Sequence, residues 1–205
     1  MNTKQVLEDE YCYLYDEYAN NHDSPDEFIS GMKIEGRIRN NFLSKYGFVI
    51  LTKSTLKILV AICKDKKVID IASGAGWISH KLKENNIDIT SIDNSSWNDK
   101  FFKKIWHLTI QGDVLTYDTS EYDNIILSWP IHNDDFGVKV LQKISNTQRL
   151  IYQGESKGGC TGNDEFHQIL KNEFIEDEEL SDALNEGHVN FSGIYDNWHV
   201  YCRKL

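Results

Sequence analysis

Val68-Ile69-Asp70-Ile71-Ala72-Ser73-Gly74-Ala75-Gly76-Trp77 is the stretch that decides the fold. A β-branched run passes into five small residues and then into a helical pattern carried by Ile78 and Leu82. Small residues let the backbone approach a ligand closely, and the start of a helix offers unpaired N–H groups. In an open α/β sheet, ligands bind beyond the carboxyl ends of the strands, at the point where strand order reverses. The stretch therefore reads as a first strand, a binding turn and a first helix.

The chain beyond it keeps the same texture. Short β-rich runs at Ile87–Ile92, Leu108–Gln111, Tyr122–Ser128 and Arg149–Gln153 alternate with helical segments such as Phe136/Val140/Ile144. That alternation implies a parallel sheet covered on both faces. Phe174-Ile175 and the alternating Trp198/Val200/Cys202 read as two final strands, an antiparallel pair at a sheet edge with no helix between them. Two strand ends carry further acids. Asp93, followed by Asn94, offers a carboxylate that accepts both hydroxyls of a ribose; Asp113, followed by Val114, places an acceptor within reach of an adenine amino group.

Before residue 66 the pattern is helical. Leu7, Tyr11, Leu14, Tyr15 and Tyr18 form one stripe, and Leu56, Leu59, Val60 and Cys63 another. Ser24-Pro25-Asp26-Glu27 reads as a helix start. Residues 1–66 are thus expected to be a helical addition and residues 67–205 an α/β core. With 40% hydrophobic and 26% charged residues, the chain has the composition of a soluble globular protein. Its longest apolar run, Ile58 to Cys63, is far too short for a membrane span, and its polar start carries no signal peptide, so a cytoplasmic location is expected. The four cysteines, at 12, 63, 160 and 202, have no metal-ligand spacing, and no metal is expected. A formal charge of −10 disfavours a nucleic-acid partner, whose phosphates reward clustered Lys and Arg. The run Glu176-Asp177-Glu178-Glu179 reads as solvated surface.

Taken together, the glycine turn and the acids Asp70, Asp93 and Asp113 resemble the class I S-adenosylmethionine-dependent methyltransferases. Asp70 through Gly76 match their first motif, an acid, any residue, then G-x-G-x-G, with Ala72 in place of the first glycine. The resemblance implies a Rossmann-like sheet of seven strands, mostly parallel, in the order 3-2-1-4-5-7-6 with the C-terminal strand antiparallel. It implies S-adenosylmethionine as cofactor, held by Asp70, Ala72, Ser73, Gly74, Gly76, Trp77, Asp93, Asn94, Asp113 and Val114. A closer likeness, over residues 46 to 203, is to a small methyltransferase-like family. It is carried by Tyr46-Gly47-Phe48, Leu127-Ser128-Trp129-Pro130, Tyr152-Gln153-Gly154-Glu155, Gly158-Gly159-Cys160-Thr161 and Phe166-His167. That likeness supports the fold and assigns no substrate. The competing dinucleotide fingerprint, G-x-G-x-x-G, is matched only by Gly74 and Gly76, with Ser79 at its third position.

Methyl transfer from a sulfonium needs alignment and exclusion of water, with a base where the nucleophile carries a proton. Ser128-Trp129-Pro130-Ile131-His132, at the end of the fourth strand, is where related enzymes place the residues that meet the methyl group. Ser128, Trp129 and His132 are the candidate catalytic residues. Trp129 either flanks a cation or packs in the core, and His132 is either a base or a polar loop residue. The motif departs from the [D/N/S]-P-P-aromatic form of amino-methylating nucleic-acid enzymes. Tyr46 and Glu155 are candidate substrate contacts: Tyr46 in a lid or a helix corner, Glu155 toward an amine or as a turn carboxylate. Three functions follow: methyl transfer to a small molecule or protein side chain, a cofactor-binding module without turnover, or a nicotinamide oxidoreductase.

Overall fold

The computed structural model describes residues 39–40, 42–96, 101–191 and 193–205. The stripe from Leu7 to Tyr18, the helix start at Ser24-Pro25 and Cys12 lie outside the described residues.

Seven strands form one sheet: β1 Lys67–Ile71, β2 Asp88–Asp93, β3 Ile110–Gln111, β4 Asn124–Ser128, β5 Arg149–Glu155, β6 Phe174–Glu176 and β7 Asp196–Arg203. Their order is β3-β2-β1-β4-β5-β7-β6. The first five pair in parallel, and β7 runs antiparallel to both β5 and β6. The strand order reverses at β1, so β1 and β4 diverge above the glycine turn and leave a crevice there.

Among the described residues after 52, five helices cover the sheet: α1 Lys53–Cys63, α2 Trp77–Glu84, α3 Phe136–Lys143, α4 Asp164–Glu173 and α5 Glu178–Glu186. The pleat sends alternate strand residues to opposite faces, and the core divides accordingly. Val68, Ile126, Ile151, Trp198 and Val200 pack with Leu59 of α1, Ile78 and Leu82 of α2 and Leu184 of α5. Ile69, Ile71, Ile125, Leu127 and Leu150 pack on the other side with Val138 and Leu141 of α3 and Phe166 and Leu170 of α4. Phe42, Tyr46 and α1 belong to the first of these clusters, so the described part of the N-terminal addition shares the core of the sheet.

The final strands do not form a helix-free hairpin, because α5 lies between β6 and β7. The acidic run Glu176-Asp177-Glu178-Glu179 lies at the surface, with Glu178 and Glu179 exposed, and it also carries the end of β6 into a helix start. Asp177 caps α5 by accepting from Leu180 N–H at 3.1 Å, and Glu178 and Glu179 occupy its first turn, where the helix dipole favours negative charge. Ser181 Oγ then donates to Asp177 carbonyl and accepts from Val200 N–H, tying the helix to β7. Thr52 caps α1 and donates to Gly187 carbonyl at 2.9 Å, while Thr55 Oγ1 donates to Leu184 carbonyl at 3.0 Å, which fixes α1 to the end of α5.

Candidate active site

The crevice above β1 and β4 opens into a cavity of about 720 Å³. Its floor is the glycine turn, where three residues in succession alternate into the left-handed region: Ala72 at φ +53°, Gly74 at +54° and Gly76 at +69°. Ala72 therefore holds the backbone shape that its Cβ disfavours, in the place where the motif has glycine. At Gly76 a side chain has no room, since a Cβ would stand 2.9 Å from His107 Cβ and 3.2 Å from His107 N. The turn is fastened to its neighbours: Ser73 N–H donates to Ile92 carbonyl and Trp106 N–H to Ala75 carbonyl.

Asp93 is preset beside this turn. Its Oδ2 accepts from Gly74 N–H at 2.9 Å and its Oδ1 from Ser95 N–H at 2.6 Å. Each carboxylate oxygen keeps a second lone pair, and the half-buried side chain lines the cavity. Asn94 is exposed at the rim, its Oδ1 taking Ser96 N–H. Asp113 is exposed on the same cavity and turns the chain by accepting from Leu115 N–H, and Val114 is buried behind it. Lys143 holds this turn from outside, with Nζ donating to the carbonyls of Val114, Leu115 and Tyr117 at 2.8–3.0 Å. Ser73 also lines the cavity, and its buried Oγ has no hydrogen-bond partner among the described residues.

Asp70 sits below the turn and does not line the cavity. It is 1% exposed and accepts Ser79 Oγ–H at 2.6 Å. Burial, opposed by that hydrogen bond and reinforced by the charge of Asp93, pushes its carboxyl up to about 7. Ser79 thus occupies the third position of the dinucleotide fingerprint as the hydroxyl that partners one oxygen of a buried acid. Gly76 likewise stands behind the wall, as the left-handed residue preceding α2.

Opposite Asp93, β4 delivers Ser128, Trp129 and His132 to the cavity. Trp129 has φ +49°, an uncommon backbone for a bulky residue. Two contacts hold it there. Its N–H donates to Gln153 carbonyl at 2.8 Å, and its indole Nε1–H donates to Asp196 Oδ2 at 2.8 Å. Asp196 is a buried hub that also accepts from Gln153 Nε2 at 2.6 Å and pairs with His188 at 3.2 Å. The loop carrying His132 is clamped to the loop after β5 through an Ile131–Thr161 bridge and Gly162 N–H donating to Pro130 carbonyl. His132 Nδ1 lies 2.8 Å from Gly162 carbonyl. A carbonyl only accepts, so Nδ1 carries the hydrogen and the neutral ring has its lone pair on Nε2.

Glu155 does not line the cavity. It is buried, with Oε2 accepting from Cys160 N–H at 2.6 Å and Oε1 from Tyr195 N–H at 3.0 Å, so it braces two loops. Tyr46 and Trp77 are both buried at the cavity's edge, in an aromatic cluster with ring centroids 4.9 Å apart, and Tyr46 stacks on Trp106 at 5.3 Å. The Tyr46-Gly47-Phe48 corner ends the helical residues 42–46, with Gly47 at φ +91°. Phe48, Phe102 and Phe136 supply the remaining aromatic lining, and Asp134 and exposed Cys160 stand at the mouth. Phe102 and Phe136 are apolar residues in loop and helix contexts, with no pattern in the sequence to mark them as lining. Among the described residues, no group of three His, Cys, Asp or Glu side chains is placed to hold a metal.

No family model matches the chain, and no curated protein is similar to it in sequence. Solved structures are similar in shape. Magnesium protoporphyrin IX methyltransferase from Synechocystis PCC 6803, solved with S-adenosylmethionine bound, superposes with a TM-score of 0.50 at 15% identity, covering 92% of this chain and 97% of its own. A TehB-like S-adenosylmethionine-dependent methyltransferase from Corynebacterium glutamicum gives 0.50 at 14% identity, covering 84% and 97%. The fold is that of the class I S-adenosylmethionine-dependent methyltransferases. In this methyltransferase fold the glycine turn, Asp93 and the end of β4 meet around one cavity. Among the described residues no helix is long and apolar enough to cross a membrane.

Proposed function

We propose that this protein is an S-adenosylmethionine-dependent methyltransferase acting on a small molecule or a protein side chain. The observation that carries the reading is the preset carboxylate of Asp93, held by Gly74 N–H and Ser95 N–H on the floor of a cavity that continues to His132. The cavity volume lies in the range of ligand pockets, roughly 300–1,000 Å³. The unpartnered Ser73 Oγ fits a polar group of the cofactor in that wall. Asp93 would accept the ribose hydroxyls, with Asn94 beside it, and Asp113 and Val114 would meet the adenine. Ala72, Gly74 and Trp77 shape the turn around the remainder. Asp70 and Gly76 act from below, fixing the turn's conformation.

When bound, S-adenosylmethionine supplies a methyl group made electrophilic by the sulfonium. The chain's own part is placement and proton handling. Phe48, Trp129 and Phe136 exclude water from the reacting end, which strengthens the alignment of nucleophile and methyl. Ser128 and Trp129 position the acceptor. His132, its tautomer fixed by Gly162 carbonyl, takes a proton from the acceptor on Nε2. The acids of the lining and the net charge of −10 disfavour a nucleic-acid acceptor. Phe42, Tyr46 and α1, the described part of the expected N-terminal cap, pack on the core. The oxidoreductase reading is weakened by Ser79, whose side chain is committed to Asp70.

Thermal unfolding with added ligands tests the cofactor. A ligand at a hundred times its Kd stabilises by about 2.7 kcal/mol, which raises Tm by roughly 5–10 °C for a chain of this length. S-adenosylmethionine and S-adenosylhomocysteine are expected to give the shift and NAD none, and Asp93→Ala to remove it. No shift with either adenosyl compound at millimolar concentration refutes the assignment. Turnover is separated from mere binding by His132→Gln, which is expected to keep the cofactor shift and lose methyl transfer.

A further inference from the structure

The acceptor half of the cavity has a chemistry of its own. Phe101, Phe48 and Trp129 form a pile of near-parallel rings, with centroids 5.6 Å and 5.2 Å apart and interplanar angles of 3° and 23°. The pile ends at the cavity with Trp129, and Trp129 is held in its strained backbone by Asp196 and Gln153. An indole fastened in this way is a rigid flat wall, not a side chain free to fold over the opening. No Lys or Arg lines the cavity among the described residues, while Asp93, Asp113 and Asp134 do. Among the described lining residues, a phosphate or carboxylate on the acceptor would meet three acids and no cation. His132 lines the same cavity, and with Nδ1 committed to Gly162 carbonyl its neutral ring keeps its lone pair on Nε2.

We propose that the acceptor is a flat, uncharged aromatic molecule carrying a hydroxyl, stacked on Trp129 at the end of the ring pile that Phe48 backs, with that hydroxyl at His132 Nε2. The inference rests on the methyltransferase reading and adds the class of acceptor to it. A flat aromatic guest continues the ring pile at offset-stacking distance. The base selects oxygen over nitrogen. An aromatic amine attacks through a lone pair it already has, whereas a phenolic hydroxyl, with an ordinary pKa of about 10, is a poor nucleophile until its proton leaves. In the step, the oxygen–carbon bond forms as the carbon–sulfur bond breaks, the electron pair stays on sulfur, and the hydroxyl proton passes to Nε2. The imidazolium then releases that proton to solvent.

The test uses the full chain with S-adenosylhomocysteine present, titrated by calorimetry with three matched probes: naphthol, naphthylamine and hydroxynaphthoate. Naphthol is expected to bind at least about tenfold more tightly than the anionic hydroxynaphthoate. With labelled S-adenosylmethionine, naphthol and not naphthylamine is expected to take up the methyl group. Phe48→Leu, which removes the ring that backs Trp129, is expected to weaken naphthol by about tenfold while S-adenosylhomocysteine binds as before. Trp129→Leu repeats that test, but it also breaks the bond to Asp196 and risks unfolding, so Phe48→Leu decides. His132→Gln is expected to retain naphthol binding and to lose about a hundredfold or more in methylation rate. Equal affinity for hydroxynaphthoate, preferred methylation of naphthylamine, or an unchanged rate in His132→Gln overturns the proposal. Binding of S-adenosylhomocysteine without any binding of naphthol overturns it alone. Failure of S-adenosylhomocysteine to bind removes the methyltransferase reading and the acceptor class with it.

Discussion

Asp196→Ala tests whether the wall of the site depends on one buried carboxylate. Asp196 Oδ2 accepts from both Trp129 Nε1–H and Gln153 Nε2–H, and Gln153 is fully buried. Removing the carboxylate strands two donors at about 1–3 kcal/mol each. His188 loses less, because its Nε2 also contacts the Asp196 backbone carbonyl at 3.0 Å, which remains. Part of the loss is recovered when Trp129 leaves φ +49°, since a sparsely populated backbone conformation stores about 1–3 kcal/mol. The net destabilisation is about 3 kcal/mol, or a fall in Tm of roughly 6–12 °C for a chain of this length. Asp196→Asn can present its carbonyl oxygen where Oδ2 stands and keep both donors, so its fall should be less than half as large. Melting curves followed by near-ultraviolet circular dichroism read the global stability and the indole environment together. An Asp196→Ala variant that melts within about 2 °C of the parent, or an Asn variant as damaged as the Ala variant, would refute this account of the hub.

Three further outcomes are expected. Gly76→Ala places a methyl group 2.9 Å from His107 Cβ on a backbone at φ +69°, and a loss of roughly 1–3 kcal/mol should appear in urea unfolding. Asp70 has its carboxyl raised from 3.8 to about 7, so the folded chain holds the proton that the unfolded chain releases first, and stability falls as pH rises through that window. Relative to Asp70→Asn, the parent should lose up to roughly 4 kcal/mol between about pH 4 and pH 7, and parallel stability curves would contradict the shift. Cys63 is buried and its thiol is pushed up to about 12 by burial, whereas Cys160 and Cys202 are exposed. Iodoacetamide at about pH 8 should therefore label Cys160 and Cys202 in the native chain and leave Cys63 unmodified, as read by peptide mass spectrometry.

The turn at Val68–Trp77 was legible because its signal is local: a β-branched strand, then small residues, then helical spacing. Ala72 shows how far such a signal stretches, since it takes φ +53° in a glycine's place. The helix α5 was not legible by periodicity. Its buried positions include Ser181 beside Leu184, so the apolar stripe is too thin to stand out from an acidic run. The capping residue Asp177 with acids in the next two positions was the available sign, and it reads equally well as solvated charge. Glu155 shows the opposite failure. Its place at the end of β5 suggests a ligand contact, but Cys160 N–H and Tyr195 N–H come from two separate loops to donate to both oxygens, and only the folded chain brings those loops together.

Asp196 lies between these cases. No spacing in the sequence links it to Trp129, because the contact is made across β5 and depends on the antiparallel register that sets Glu155 opposite Asp196 and Gln153 opposite Trp198. Its own strand nevertheless carries a sign. Period-two alternation puts Asp196 on the same parity as Trp198 and Val200, both fully buried, so an acid stands on the core face of β7. A buried carboxylate is unstable without donors, and donors that satisfy it are held in return. Parity therefore identifies Asp196 as a residue that must organise its surroundings, although it does not say which ones. In this fold the donors that answer it are Gln153 and the indole of Trp129, and through the second of these the core of β7 fixes the wall of the cavity.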